Sequence, residues 1–167
     1  MLEGLRLPLM CAPMSFASSV PLAVACCKAG VIGGWQGGTY TRDDEFEAYL
    51  KALDRIGGAP PIVNIPARWG SDPKWQARID MLGDYRAPII LSSLGDPSAL
   101  VIRVHQWGGR VIQDVTTMKH AEKAIAAGVD FPNLALDVAT EGQHLNGHKP
   151  RVTNSQSGAA FLKWICI

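Results

Sequence analysis

Six short apolar runs, each separated from the next by a stretch with helical spacing, constrain this chain more than any other feature. They lie at residues 7–12, 31–35, 61–65, 88–92, 110–115 and 134–138. Runs of this length suit strands buried on both faces, as in parallel sheets. Between them, Phe46, Tyr49, Leu50 and Leu53 fall on one helical stripe, as do Leu100, Val101, Val104 and Trp107, and then Met118, Ala121, Ala124 and Ile125. Gly30 and Gly128 stand directly before Val31 and Val129, and the Gly108-Gly109 pair stands one residue before Val111, where a left-handed glycine lets a helix stop and a strand begin. Residues 68–86 read as a loop followed by one helix. The strand starts recur roughly every 20–30 residues, the length of a βα unit, which makes the chain an α/β protein with a parallel sheet.

A barrel and an open doubly wound sheet both meet that description. No GxGxxG or GxxxxGK[ST] follows any of the runs, so the usual phosphate-binding signatures of open sheets are missing. The expected fold is therefore a partial parallel (β/α) barrel of TIM type, with about six of the usual eight strands. A complete barrel commonly takes about 250 residues, and this sequence has 167. The expected organisation is one partial barrel over residues 1–148, followed by a divergent tail over 149–167. Six strands left open would expose two edges and an apolar face, so a homo-oligomer that covers them is a possible partner.

Charge excludes some function classes. Sixteen Lys and Arg against fifteen Asp and Glu give a net charge of +1 with no basic block, so no nucleic-acid partner is expected. Cys11, adjacent Cys26 and Cys27, and Cys166 form neither a disulfide framework nor a CxxC metal pair, and read as reduced residues of a cytoplasmic protein. Leu22-Ala23-Val24-Ala25-Cys26 has the look of a lipoprotein cleavage site. Against export stand Pro8, Pro13 and Pro21, which would interrupt an apolar helix, and a weak basic start with only Arg6 behind Glu3. No membrane span and no metal site is expected.

In parallel α/β sheets, ligands meet the carboxyl ends of the strands. That points to Ala12-Pro13-Met14, residues 33–36, Asn64, Ser92-Ser93, Gln113-Asp114 with Thr116-Thr117, and the polar stretch 137–148. Ser92, Ser93, Thr116 and Thr117 read equally well as helix caps. Asn64 lies inside a strand, where a buried amide needs a partner.

These residues carry a family resemblance. Leu7 through Met14, then Leu22-Ala23 through Gly33, resembles the opening of the nitronate monooxygenases, also called 2-nitropropane dioxygenases. Ile62-Val63-Asn64, then Pro88 through Gly95, then Val111 through Thr116 and His120 through Asp130, is similar to their third, fourth and fifth units. The ordered set covers about the first 130 residues and fades near Phe131, and an altered reading frame or early stop would produce such a fade. The resemblance implies non-covalent FMN at the strand ends and oxidation of alkyl nitronates by O2 to a carbonyl compound and nitrite. It further implies that Ala12, Pro13 and Met14 line the flavin ring through backbone groups, and that Asn64 hydrogen-bonds it. Gln113 and Asp114 stand where a related subfamily has a polar pair close to the flavin, although Gln113 replaces a residue that is often His. The family's catalytic histidine follows a glycine-rich run. His144 fits that place best and His148 is second, either one a group that could take the α-proton of a nitroalkane. An FMN-dependent enoyl reductase of the same superfamily and a non-catalytic barrel fragment are the competing functions.

Overall fold

The structure is a computed structural model that describes residues 5–39, 42–134 and 164–166. Six strands run parallel: β1 (Leu9–Cys11), β2 (Ile32–Gln36), β3 (Pro61–Pro66), β4 (Ile89–Ser93), β5 (Arg110–Val115) and β6 (Phe131–Leu134). Helices fill the crossovers: α1 (Val20–Lys28), α2 (Asp43–Asp54), α3 (Gln76–Asp84), α4 (Ser98–Gln106) and α5 (Met118–Ala126). Each strand pairs with its neighbour in sequence, so the sheet winds in one direction as an arc of a TIM-type barrel. The expected fold class is what the chain adopts.

Local chemistry explains where the elements start and stop. Ser19 caps α1 by accepting the Leu22 N–H at 3.4 Å, and Thr117 caps α5 by accepting the His120 N–H at 3.2 Å. α2 opens on Asp43, Asp44 and Glu45, acidic residues that suit the positive end of the helix dipole. Gly30 (φ +84°) takes the left-handed conformation that ends α1, and Gly108 and Gly128 end α4 and α5 in the same way.

Alternation along the strands divides the apolar residues between two cores. Trp35, Val63, Ile65, Ile90, Val111 and Val115 face the helices, where Phe46, Leu50, Leu82, Leu100 and Val104 cover them. Met10, Ile32, Ile62, Ile89, Leu91 and Ile112 form a separate cluster on the opposite, concave face. A charged residue is sealed into the helix-side layer. Arg78 is 2 % exposed, pairs with Asp43 at 2.7 Å, and lies over the rings of Phe46, Trp69 and Trp75 at 5.1, 5.5 and 5.1 Å. Its planar cation satisfies three aromatic faces at once, which helps join α2 to α3.

The last parallel strand differs from its expected place at 134–138. β6 begins at Phe131, and residues 135–138 lie outside the described residues. Pro132, a strand breaker in the sequence, is tolerated because β6 is the last strand of the described sheet and has one neighbour, β5. The stripe expected on α5 holds at its centre and not at its ends: Ala124 is buried and Ala121 packs against the core, while Met118 and Ile125 are 74 % and 61 % exposed. A short strand not foreseen in the sequence, β7 (Trp164–Cys166), pairs antiparallel with β1 and covers an edge expected to stay open. Among the described residues, no helix is long and apolar enough to cross a membrane.

Close packing at β2 yields a stability prediction. A Cβ on Gly34 would sit 2.1 Å from the Cys11 carbonyl oxygen and 2.9 Å from the Pro13 nitrogen, whereas one on Gly57 would meet nothing within 4 Å. Gly34→Ala should cost about 2 kcal/mol or more, as overpacking against rigid backbone does, and Gly57→Ala should stay within about 1 kcal/mol of the parent. Urea denaturation midpoints for the pair check this, and equal midpoints would refute the packing at β2.

Candidate functional site

The carboxyl ends of the strands carry polar side chains on the concave face, directly above the apolar layer. Parity requires it. Asn64 follows Ile62 by two residues on β3, Asp114 follows Ile112 on β5, and Gln36 lies two beyond Gly34 on β2, so all three project to the concave side. Register brings Gln36 beside Asn64 and Asp114 beside Asn133. A hollow of about 260 Å³ opens among them, lined by Ala12, Pro13, Met14 and Ser15 on one side and Gln36, Asn64, Ser93, Asp114 and Asn133 on the others.

Hydrogen bonds hold this lining in place. Asn64 Nδ2 donates to the Leu91 carbonyl at 3.0 Å, and no described group donates to its Oδ1. Asn133 Nδ2 donates to Asp114 Oδ1 at 2.7 Å. The loop after β1 is held by Ser18, which is fully buried: its hydroxyl accepts the Met14 N–H and donates to the Ala12 carbonyl at 3.2 Å. Ser15, in the same loop, has φ +37°, a left-handed value unusual for a residue with a side chain. Behind the loop, burial and then neighbouring Cys26 push the Cys11 thiol up to about 11, so at neutral pH it is a protonated filler rather than a nucleophile.

Of the residues selected from the sequence, Ala12, Pro13, Met14, Gln36, Asn64, Ser93 and Asp114 meet at this hollow. Gln113 does not line it. Gln113 shares the parity of Val111 and Val115 and faces the helix layer, buried, where it hydrogen-bonds Ser92. Ser92 is therefore not a helix cap; its hydroxyl also reaches the Ile112 carbonyl at 3.4 Å. Thr117 is a cap, and Thr116 Oγ1 lies 3.1 Å from His120 Nδ1. His105 is on the surface and contacts Asp130 at 2.9 Å. His144 and His148 lie outside the described residues. Ser18 and Asn133 were missed. A serine before a helix reads as a cap, and Asn133 follows a proline, which hides a strand. Among the described residues, no cluster of His, Cys, Asp and Glu could hold a metal ion.

Fold and hollow together define a partial parallel (β/α) barrel with a polar, ring-sized recess at the carboxyl ends of its strands. The solved structure of nitroalkane oxidase from Streptomyces ansochromogenes is similar, with 26 % identity and a TM-score of 0.66 over 77 % of this chain and 46 % of that one. FabK from Thermotoga maritima aligns with a TM-score of 0.66 at 22 % identity, over 77 % of this chain and 40 % of its own. The enoyl reductase domain of MlnA, from the macrolactin biosynthesis cluster of Bacillus amyloliquefaciens, aligns with a TM-score of 0.60 at 19 % identity, over 72 % of this chain and 31 % of that one. The chain thus spans less than half of each of these structures. A 34-residue stretch is 91 % identical to rubredoxin-1 of Pseudomonas putida, covering 20 % of this chain and 19 % of that protein. No protein-family model matches the chain.

The Ser18 staple gives a measurable expectation. Ser18→Ala leaves the Met14 N–H and the Ala12 carbonyl without their hydroxyl partner, and should lower stability by about 1–3 kcal/mol. The loss should appear as faster amide hydrogen exchange at Met14 than in the parent. Unchanged exchange there would show that the loop does not depend on Ser18.

Proposed function

We propose that this chain is the flavin-binding part of an oxidoreductase that acts on alkyl nitronates, using O2 and releasing a carbonyl compound and nitrite. The observation that carries the reading is the meeting of Ala12, Pro13, Met14, Asn64 and Asp114 around one hollow at the strand ends, the place where barrel enzymes do their chemistry. The similarity to a nitroalkane oxidase supports the substrate class.

The residues present fit the ring of FMN. A flavin offers an apolar face and one edge of alternating N–H and carbonyl groups. The backbone from Ala12 to Met14 supplies a wall for the face. Asn64 keeps an Oδ1 acceptor with no described donor, and Asp114 adds an acceptor for an N–H. At about 260 Å³, the hollow suits a ring rather than a whole nucleotide, since pockets for drug-sized ligands run from about 300 to 1,000 Å³. When bound, FMN would supply the electron acceptor. The chain's own part is to bind and orient the ring through Asn64 and Asp114, and, when the neutral nitroalkane binds, to take its α-proton and so form the nitronate that is oxidised. For that proton we assign His144, with His148 as the alternative.

Titrating FMN into the purified chain should quench flavin fluorescence to saturation, and Asn64→Leu should weaken binding about tenfold or more by removing the amide and burying a bulkier apolar group in its place. Nitrite release from propyl-2-nitronate without NAD(P)H is the expected activity. His144→Ala should reduce turnover of the neutral nitroalkane far more than turnover of the nitronate, which has already lost its proton. Dependence on NAD(P)H would favour the enoyl reductase reading, which the likeness to the MlnA domain supports, and absence of saturable quenching would sink the flavin reading.

A further inference from the structure

Gln36 ends β2 on the wall of the ring-sized hollow. Its neighbour Trp35 is fully buried on the helix side, against the rings of Phe46 at 5.5 Å and Tyr49 at 5.3 Å, so alternation turns Gln36 to the concave side. The backbone that follows leaves it little freedom. A Cβ on Gly37 would lie 2.9 Å from Val63 Cγ1 and one on Gly38 would lie 3.0 Å from Pro66 Cδ, so the end of β2 rests directly on the end of β3. Gln36 is half-buried, and among the described residues nothing pairs with its amide.

The other side-chain amides on the lining are already engaged as donors. Asn64 Nδ2 donates to the Leu91 carbonyl at 3.0 Å, and Asn133 Nδ2 to Asp114 at 2.7 Å. Ser93 has a hydroxyl to give, but register sets it level with Pro66, one concave layer above Asn64. Gln36 instead stands level with Asn64 on the adjoining strand, about 4.8 Å away across the ladder. The two amides thus offer a donor and an acceptor side by side, Gln36 Nε2 and Asn64 Oδ1. That pair is the complement of a flat ring edge on which a carbonyl adjoins an N–H.

We propose that Gln36 sets the redox potential of the flavin ring, by donating to the ring carbonyl that shares the negative charge of the reduced form. The oxidised ring is neutral. Uptake of two electrons and one proton leaves one negative charge, spread over a ring nitrogen and the carbonyl oxygen beside it. A hydrogen bond to a charged acceptor is stronger than one to a neutral acceptor, so Gln36 holds the reduced ring more tightly than the oxidised one. The potential rises accordingly, and the ring becomes a better acceptor of electrons. This role rests on the flavin reading above, and it holds whichever compound the ring oxidises.

The test pairs two titrations of the purified full chain with spectroelectrochemistry of the complex. Oxidised FMN is followed by fluorescence quenching, and dithionite-reduced FMN by calorimetry without oxygen. Gln36→Leu should weaken reduced FMN about tenfold more than oxidised FMN, which lowers the two-electron potential by about 30 mV. Gln36→Glu keeps the shape, loses the donor and adds a negative charge, so it should lower the potential further. It decides the matter should Gln36→Leu fail to fold. A side chain with a structural role alone would weaken both forms alike. Saturable binding of oxidised FMN with an unmoved potential in the variants therefore overturns the assignment to Gln36 and leaves the flavin reading standing. A parent that never quenches FMN fluorescence refutes the flavin reading, and the role of Gln36 with it.

Discussion

Successive residues of a strand point to opposite faces, and in β1 to β6 the parallel register locks that alternation across the whole arc. Every other feature of the molecule depends on it. The same constraint that places Val63 and Ile65 under the helices places Ile62 and Asn64 on the concave face. A one-residue slip would exchange the two sets, burying Asn64 among leucines and valines without its Leu91 partner. The recess at the strand ends is therefore a product of register, and its polar rim is the last concave layer above Met10, Ile32, Ile62, Ile89, Leu91 and Ile112.

Much of the fold was legible because it is written in repeats. Five of the six apolar runs coincide with strands to within one or two residues, since a buried parallel strand has to be apolar on both faces and is bounded by helix-ending glycines. The sixth run lies later in the chain than the strand, because Pro132 and Asn133 carry a turn signature that the end of a sheet overrides. Arg78 was invisible for a different reason. A charged residue reads as surface unless the partners that bury it can be located, and Phe46, Trp69 and Trp75 are brought to it only by tertiary packing. β7 was equally hidden, since three residues far along the chain carry no periodicity to detect.

The candidate site was legible as a set of strand ends and less so as individual contacts. Gln113 and Asp114 stand side by side in the sequence like a pair, yet neighbours on one strand cannot share a face, and the parity of Val111, Ile112 and Val115 already sends Gln113 toward the helices. Alternation applied residue by residue would have found this. No sequence signal could have disclosed that Ser18 reaches back to both Met14 and Ala12, because that depends on how the one-turn helix at Ser15–Ala17 folds the loop over itself.

The antiparallel seat of β7 has a topological consequence. In a closed barrel of this type the first strand bonds a parallel neighbour along its outer edge. Here Leu9, Met10 and Cys11 already face Cys166, Ile165 and Trp164 running the opposite way. A backbone edge bonds one strand at a time, so any parallel newcomer seeking to complete the ring must first evict this short occupant. Ring closure at β1 is thus an exchange of partners, and its free energy is the difference between two pairings rather than the full value of one.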